Sequence, residues 1–241
     1  GPVEHSPGAS AKLPWRPTAC TAAGGTATEA PAHAAPATLP EVADDAPGRN
    51  RPARPARPRH HTQGKEPAMP TTRLVTPEDA PELAELLRRN RTFLAPWEPE
   101  RDDAYFTAAT QRVLLERALA EHAGDRMLPL AVLDDADRIA GRITVNDIVR
   151  GAFLSAAIGY WVAESHNGRG LATKAVAETL QTAFTDLGLH RLQAATLPHN
   201  TASQRVLLRN GFTAFGRAPQ YLRIAGEWQE HILYQALNPE P

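Results

Sequence analysis

The stretch Asn167, Gly168, Arg169, Gly170, Leu171, Ala172 and Thr173 carries the clearest chemical signal in this chain of 241 residues. A strand pattern ends just before it and an apolar-periodic helix begins just after it. The two glycines therefore sit where the free backbone amides of a helix N-terminus gather. Glycine removes the Cβ that would obstruct those N–H groups, and the positive end of the helix dipole favours an anion such as a diphosphate. The same pattern also serves as a plain turn before a helix. It lacks the Gly-Lys-Ser/Thr ending of a P-loop, and it follows hairpins instead of opening a βαβ unit, which argues against a dinucleotide fold. Downstream, Asn200 and Ser203 stand at the start of another helix. Asn200 suits an N-cap whose amide keeps further hydrogen-bonding capacity, and Ser203 falls in the first turn, where a hydroxyl can cap locally or donate to a ligand.

The elements that must position these residues are legible from periodicity. Residues 73–75 read as a short strand, and Thr76, Pro77, Glu78 and Asp79 combine an N-cap, a proline at the first helical position and a capping-box acid. A helix with Ala80, Leu83 and Leu87 on one face follows. A proline-interrupted loop carries Trp97, and a second helix shows an apolar stripe at Val113, Leu114, Arg117 and Ala118, expected on a lid side. Three strand-like runs, 128–133, 139–149 and 154–162, are separated by short turns and predict an antiparallel meander. After them the order becomes helix from about 171 to 187 with Gly188 as its stop, strand 191–197, helix 200–210, and closing strands 212–224 and 228–237 joined at Ala225-Gly226. The expected class is α+β, a sheet parallel in its middle and antiparallel at its ends, with helices on both faces.

Composition divides the chain. Thirteen of the 22 prolines lie at or before Pro70, a stretch without Ile, Phe or Tyr. Such a segment cannot repay the entropy of ordering, so 1–70 reads as a disordered Pro/Ala/Arg-rich tail and 71–238 as one domain. Residues 49–61 hold five arginines and no acid in a polyproline-favouring spacing; they could touch RNA or a ribosome, or form a solvated linker. The chain starts Gly1-Pro2, which reads as processing or an expression scar, with Met69 the expected natural start. The formal charge of -1 excludes a uniformly basic nucleic-acid binder, and no specific DNA binding is expected. Cys20, the one cysteine, cannot form an internal disulfide and has no zinc-ligand set around it, so no metal is expected. No run has the roughly 18 apolar residues of a membrane helix. A cytoplasmic monomer or homodimer is the expectation.

The spacing from 167–173 to Pro198, His199, Asn200 and Ser203, and on to Asn210-Gly211-Phe212, resembles the GCN5-related N-acetyltransferase (GNAT) superfamily. Its signature is Gln or Arg, two residues, Gly, one residue, then Gly or Ala. Here Gly170 and Ala172 match, and Asn167 replaces Gln or Arg; main-chain amides carry the anion binding, so the replacement costs little. The segments 90–102, 148–153, 198–200 and 221–228 look like the RimJ/RimL-type branch, which acetylates the N-terminal alanine of ribosomal proteins such as uS5.

That resemblance implies a centrally splayed sheet and acetyl-CoA as acetyl donor. The pantetheine arm would pair with the backbone of Trp161 and Val162, the diphosphate would sit at 168–173, and Asn200 would bond the pantetheine. It also implies an acid at Ser203, because the tyrosine that many relatives carry seven residues after the asparagine is Leu207 here. The acid that relatives place before Tyr221 is replaced by Gln220, so the base is sought among Asp147, Tyr221 and water, with Glu100 and His199 as weaker choices. Asp147 also fits a plain strand-end turn, and Trp97 fits either a peptide-site wall or a core plug. An α-amine, with a pKa near 7.8 against about 10.4 for lysine, needs about 3.5 kcal/mol less help to deprotonate. A protein N-terminus is therefore the expected acceptor. A small amine such as a drug or polyamine, and a non-catalytic acyl-CoA-binding or ribosome-associated module, are the alternatives.

Overall fold

The computed structural model describes residues 71–239; the tail expected at 1–70, with its arginine run, Cys20 and Met69, lies outside the described residues. In chain order the elements are β1 (Thr72–Leu74), α1 (Ala80–Arg89), α2 (Arg91–Leu94), α3 (Ala108–Ala123), β2 (Leu128–Leu133), β3 (Ile139–Val149), β4 (Ser155–Val162), α4 (Leu171–Thr185), β5 (Arg191–Thr196), α5 (Thr201–Arg209), β6 (Thr213–Ile224) and β7 (Glu227–Leu237). The expected elements are present within a residue or two, and the class is α+β. A 3-10 turn at Pro77–Asp79 leads into α1. Asp79 accepts hydrogen bonds from the Thr76 backbone N–H and, through both oxygens, from Arg73, each at 2.8 Å. Burial alone would raise its pKa, but those donors hold it below the usual carboxylate value. This ties β1 to the start of α1.

Helix α3 corrects the stripe expected at Val113, Leu114, Arg117 and Ala118. Its buried residues are Gln111, Leu115 and Ala118, while Val113 is 56% exposed. The phase is set at the N-terminus, where Thr107 caps Thr110 and the Gln111 side-chain amide donates to the Tyr105 carbonyl at 2.6 Å. A buried glutamine bonded to backbone is invisible to a count of apolar residues.

Among the described residues seven strands run in the order β1-β2-β3-β4-β5-β7-β6, and β4–β5 is their one parallel pair. Each face carries a core. Leu128, Leu130, Val132, Ile143 and Ile158 pack with Val176 and Leu180 of α4 and Leu207 of α5. Ala131, Leu133 and Ile139 pack on the other face with Leu83 and Leu87 of α1 and Leu115 of α3. Strand β2 is buried at all six positions because it serves both cores.

The sheet is not continuous through its middle. Strands β4 and β5 are in register only at Ser155–Ala157 against Arg191–Gln193. Beyond Ala157, β4 stays on β3 as far as Val162, whereas β5 stays on β7 as far as Thr196. The two strands thus diverge, as a centrally splayed sheet requires. Gly141 supports the β3 side of this divergence, because a Cβ there would lie 2.2 Å from the Trp161 carbonyl oxygen. Gly141→Ala is therefore expected to cost about 1–3 kcal/mol, the usual range for an overpacked site, read as a lower urea midpoint with unchanged m-value.

Candidate functional site

The divergence of β4 from β5 leaves backbone groups of β4 without a strand to pair with. Ala163 donates to Ala140 of the β3 side at 2.7 Å, and strand N–H groups alternate direction. The amides of Tyr160 and Val162 therefore face the opened side, and that of Trp161 faces β3. This corrects the expectation that Trp161 offers its backbone; its side chain, half-buried, lines the cleft instead. The cleft holds about 670 Å³ and runs from the 93–105 segment, across the splayed strands, to the start of α4.

At one end, Asn167, Gly168, Gly170, Leu171, Ala172 and Thr173 line the cleft, while Arg169 is exposed and outside the lining. Gly168 and Gly170 take φ of +75° and +78°, the left-handed region that glycine occupies without strain, and nothing lies within 4 Å of where a Cβ would stand. Gly170 is the N-cap of the 15-residue α4 and supplies no side-chain cap. The first-turn N–H groups thus point into open space at the positive end of the helix dipole. Arg205 and Arg209 of α5, four residues apart on one helix face, line the same cleft and form no ion pair among the described residues. A backbone cradle with two nearby cations fits a phosphate-bearing group.

At mid-cleft, Asn200 caps α5 through Oδ1, which accepts the Ser203 backbone N–H at 3.1 Å. Its Nδ2 makes no hydrogen bond among the described residues, so the capping role leaves a donor for a ligand. The Ser203 hydroxyl shares a 2.9 Å hydrogen bond with the Tyr160 phenol. Burial pushes the Tyr160 pKa up, opposed by the bond to Ser203, so the phenol stays protonated. Leu207 is fully buried in the core. A phenol thus reaches Ser203 from β4, a contact that linear spacing along α5 could not show.

The expected bases are placed differently. Asp147 is exposed, has φ of +50° in the irregularity between Asn146 and Val149, and lies outside the cleft lining. Strand alternation explains this, since Arg142, Thr144 and the buried Asn146 line the cleft and Asp147 falls on the other parity. Tyr221 packs its ring against His231 at 5.6 Å and is likewise outside the lining, where Leu222 and His231 stand. Gln220 is exposed at φ +49° in a second irregularity, between Ala218 and Leu222. Trp97 forms part of the cleft wall, its ring 5.4 Å from that of His199. Glu100 lies beside Gly226, away from this cleft.

The acidic group that does line the cleft is Glu98, next to Trp97 in the proline-flanked loop. Burial raises its pKa above the ordinary value, with Arg101 and Arg142 opposing the shift. Arg142 of β3 is itself buried, its pKa lowered by burial, and its Nε finds no hydrogen-bond partner. In the sequence the signal at Glu98, an acid between two prolines, is that of a surface turn, which hides its burial. Among the described residues no group of three or more His, Cys, Asp or Glu could hold a metal ion, and no helix is long and apolar enough to cross a membrane.

Comparisons with known proteins agree with this geometry. A family described as "Acetyltransferase (GNAT) domain" matches residues 71–213. The [ribosomal protein uS5]-alanine N-acetyltransferase of Escherichia coli is 32% identical over 169 residues, covering 70% of this chain and 87% of the relative. The ribosomal-protein-S5-alanine acetyltransferase of Vibrio fischeri superposes with a TM-score of 0.68 at 34% identity, over 70% of this chain and 93% of that one. Mycobacterium smegmatis RimJ, solved with CoA-disulfide, also gives 0.68 at 34% identity, over 70% and 82% of the two chains. The expected consequence for the glycine corner is direct. Gly170→Val, forced to hold φ near +78°, should weaken calorimetric binding of coenzyme A at least about tenfold, whereas Arg169→Ala should leave it nearly unchanged.

Proposed function

The chain belongs to the GNAT acetyltransferase family and is an N-acetyltransferase; from that premise we propose that it moves acetyl from acetyl-CoA to the N-terminal α-amine of a protein, of the ribosomal alanine type. The observation that carries the donor assignment is the parted β4–β5 pair, with free amides at Tyr160 and Val162 in line with the cradle at 168–173. An amide-bearing arm can add there as an extra strand. The α4 N-terminus would hold the diphosphate, with Arg205 and Arg209 as further cations, and Asn200 Nδ2 would bond the arm. Bound acetyl-CoA supplies an activated acyl group whose leaving sulfur needs a proton.

The chain's own residues divide the remaining work. The Val162 N–H is directed into the opening and can donate to negative charge developing on an acyl oxygen. Ser203, backed by Tyr160, can donate a proton at sulfur while the phenol restores it. The protein acceptor is supported by the 32% identical Escherichia coli enzyme, whose name specifies an alanine of ribosomal protein uS5, and by the lower pKa of an α-amine than of lysine. A cytoplasmic location fits that acceptor.

Acetyl transfer to an alanine-initiated peptide, measured beside a polyamine and an acceptor-free control, tests the acceptor. The peptide should be turned over and the polyamine should not; the reverse would contradict the proposal. For the hydroxyl pair, Ser203→Ala should lower kcat by roughly 10–100-fold with coenzyme A affinity nearly intact. Tyr160→Phe should do the same, and the double variant should lose little more than either single one.

A further inference from the structure

A second cavity of about 550 Å³ lies on the far side of the 94–102 loop, lined by Leu87, Arg91, Phe106 and Ala225 among others. Leu94, Glu98 and Arg101 line both this cavity and the main cleft. They form the partition between a compartment that reaches the parted strands and one that opens toward the β6–β7 turn. The partition is anchored: the Ala225 N–H donates to the Glu98 carbonyl at 3.0 Å, and the Glu100 carboxylate lies so close to Gly226 that a Cβ there would stand 2.7 Å from its oxygen. Among the described residues the Glu98 carboxylate accepts no hydrogen bond. It is thus a half-buried acid, in the dividing wall, with its acceptor capacity unused.

We propose that Glu98 is the catalytic base of the transfer, receiving the acceptor ammonium that arrives from the second cavity. This rests on the acetyltransferase reading above but not on which amine is the acceptor. Glu98 takes one proton from R–NH3+, leaving a lone pair on nitrogen. The lone pair forms the N–C bond at the thioester carbonyl, and the C–S bond breaks with its electron pair on sulfur. Sulfur takes a proton from the Ser203–Tyr160 pair, the surplus nitrogen proton returns to that pair through solvent, and Glu98 releases its proton to water. The products are the amide, the free thiol and one proton. Two surrounding features suit the role. Glu98, Glu100 and Asp102 line the second cavity against Arg91 and Arg101, and Arg91 is already paired with Asp103, which leaves acceptors for a cation there. Burial keeps the Glu98 carboxyl more basic than an exposed glutamate. The charged and titratable groups facing it are Arg101 of its own loop, Tyr105 of the following turn and Arg142 of β3, with His231 of β7 also on the cleft.

The test compares wild type, E98Q and E98D with whichever amine the wild type acetylates best among an alanine-initiated peptide and small amines. E98Q should lower kcat/KM by about 10²–10³-fold near pH 7, with coenzyme A affinity and Tm unchanged. The E98Q rate should then climb with pH toward the acceptor amine's own pKa, about 7.7–8.0 for a peptide, while E98D regains part of the loss. An E98Q enzyme with wild-type rate and pH profile would overturn the assignment. Turnover of small amines alone would remove the protein-acceptor reading and leave Glu98 tested with those amines. Turnover of no amine at all would overturn both.

Discussion

The structure depends on an interrupted parallel ladder. Strands β4 and β5 share three register positions and then separate, so a central sheet that would normally saturate its backbone leaves amides unpaired in its interior. Such a gap is sustainable only because each strand remains held on its outer side, β4 by β3 and β5 by β7. Gly141 allows the close approach of β3 to Trp161, and the antiparallel insertion of β7 between β5 and β6 carries β5 away. The opened wedge is then lined by what the two strands and their following helices present: amides from β4, a hydroxyl from α5, and the helix N-terminus that follows β4.

That arrangement explains why the site needs so few specialised side chains. In the proposed reading anion binding falls on main-chain N–H groups, so the side chain of Asn167 need not carry it. In the proposed reading, proton delivery to sulfur falls on a hydroxyl pair contributed by separate elements, β4 and α5, that touch only after folding. Arg205 and Arg209 of α5 line the cleft, and on the side of the 93–105 segment the half-buried Glu98 stands with Arg101 and Arg142.

Much of this was legible in the sequence where function rides on backbone. The glycine turn, the helix after it, the meander before it and the Asn200 cap all follow from local rules, and each stands where spacing placed it. The misplaced expectations concern side chains whose role depends on strand parity or long-range approach. Arg142, Thr144 and Asn146 set the cleft-facing parity of β3, so Asp147 falls on the other parity and stands exposed with φ of +50°. Of the expected pair Trp161 and Val162, the β3 register turns only the Val162 amide to the gap. Tyr160 lies 43 residues from Ser203, and Glu98 sits in a loop whose prolines mask its burial. In α3, a buried glutamine set the helix phase that apolar residues alone misjudged.

Backbone amide NMR of the protein with and without acetyl-CoA measures the central claim most directly. The amides of Tyr160 and Val162 and those of residues 170–173 should shift and become protected from hydrogen exchange together, while those of Trp161 and Ala163, already paired to β3, change little. Saturating ligand that leaves these amides unperturbed, or perturbs only residues outside the parted strands and the α4 N-terminus, would contradict the account.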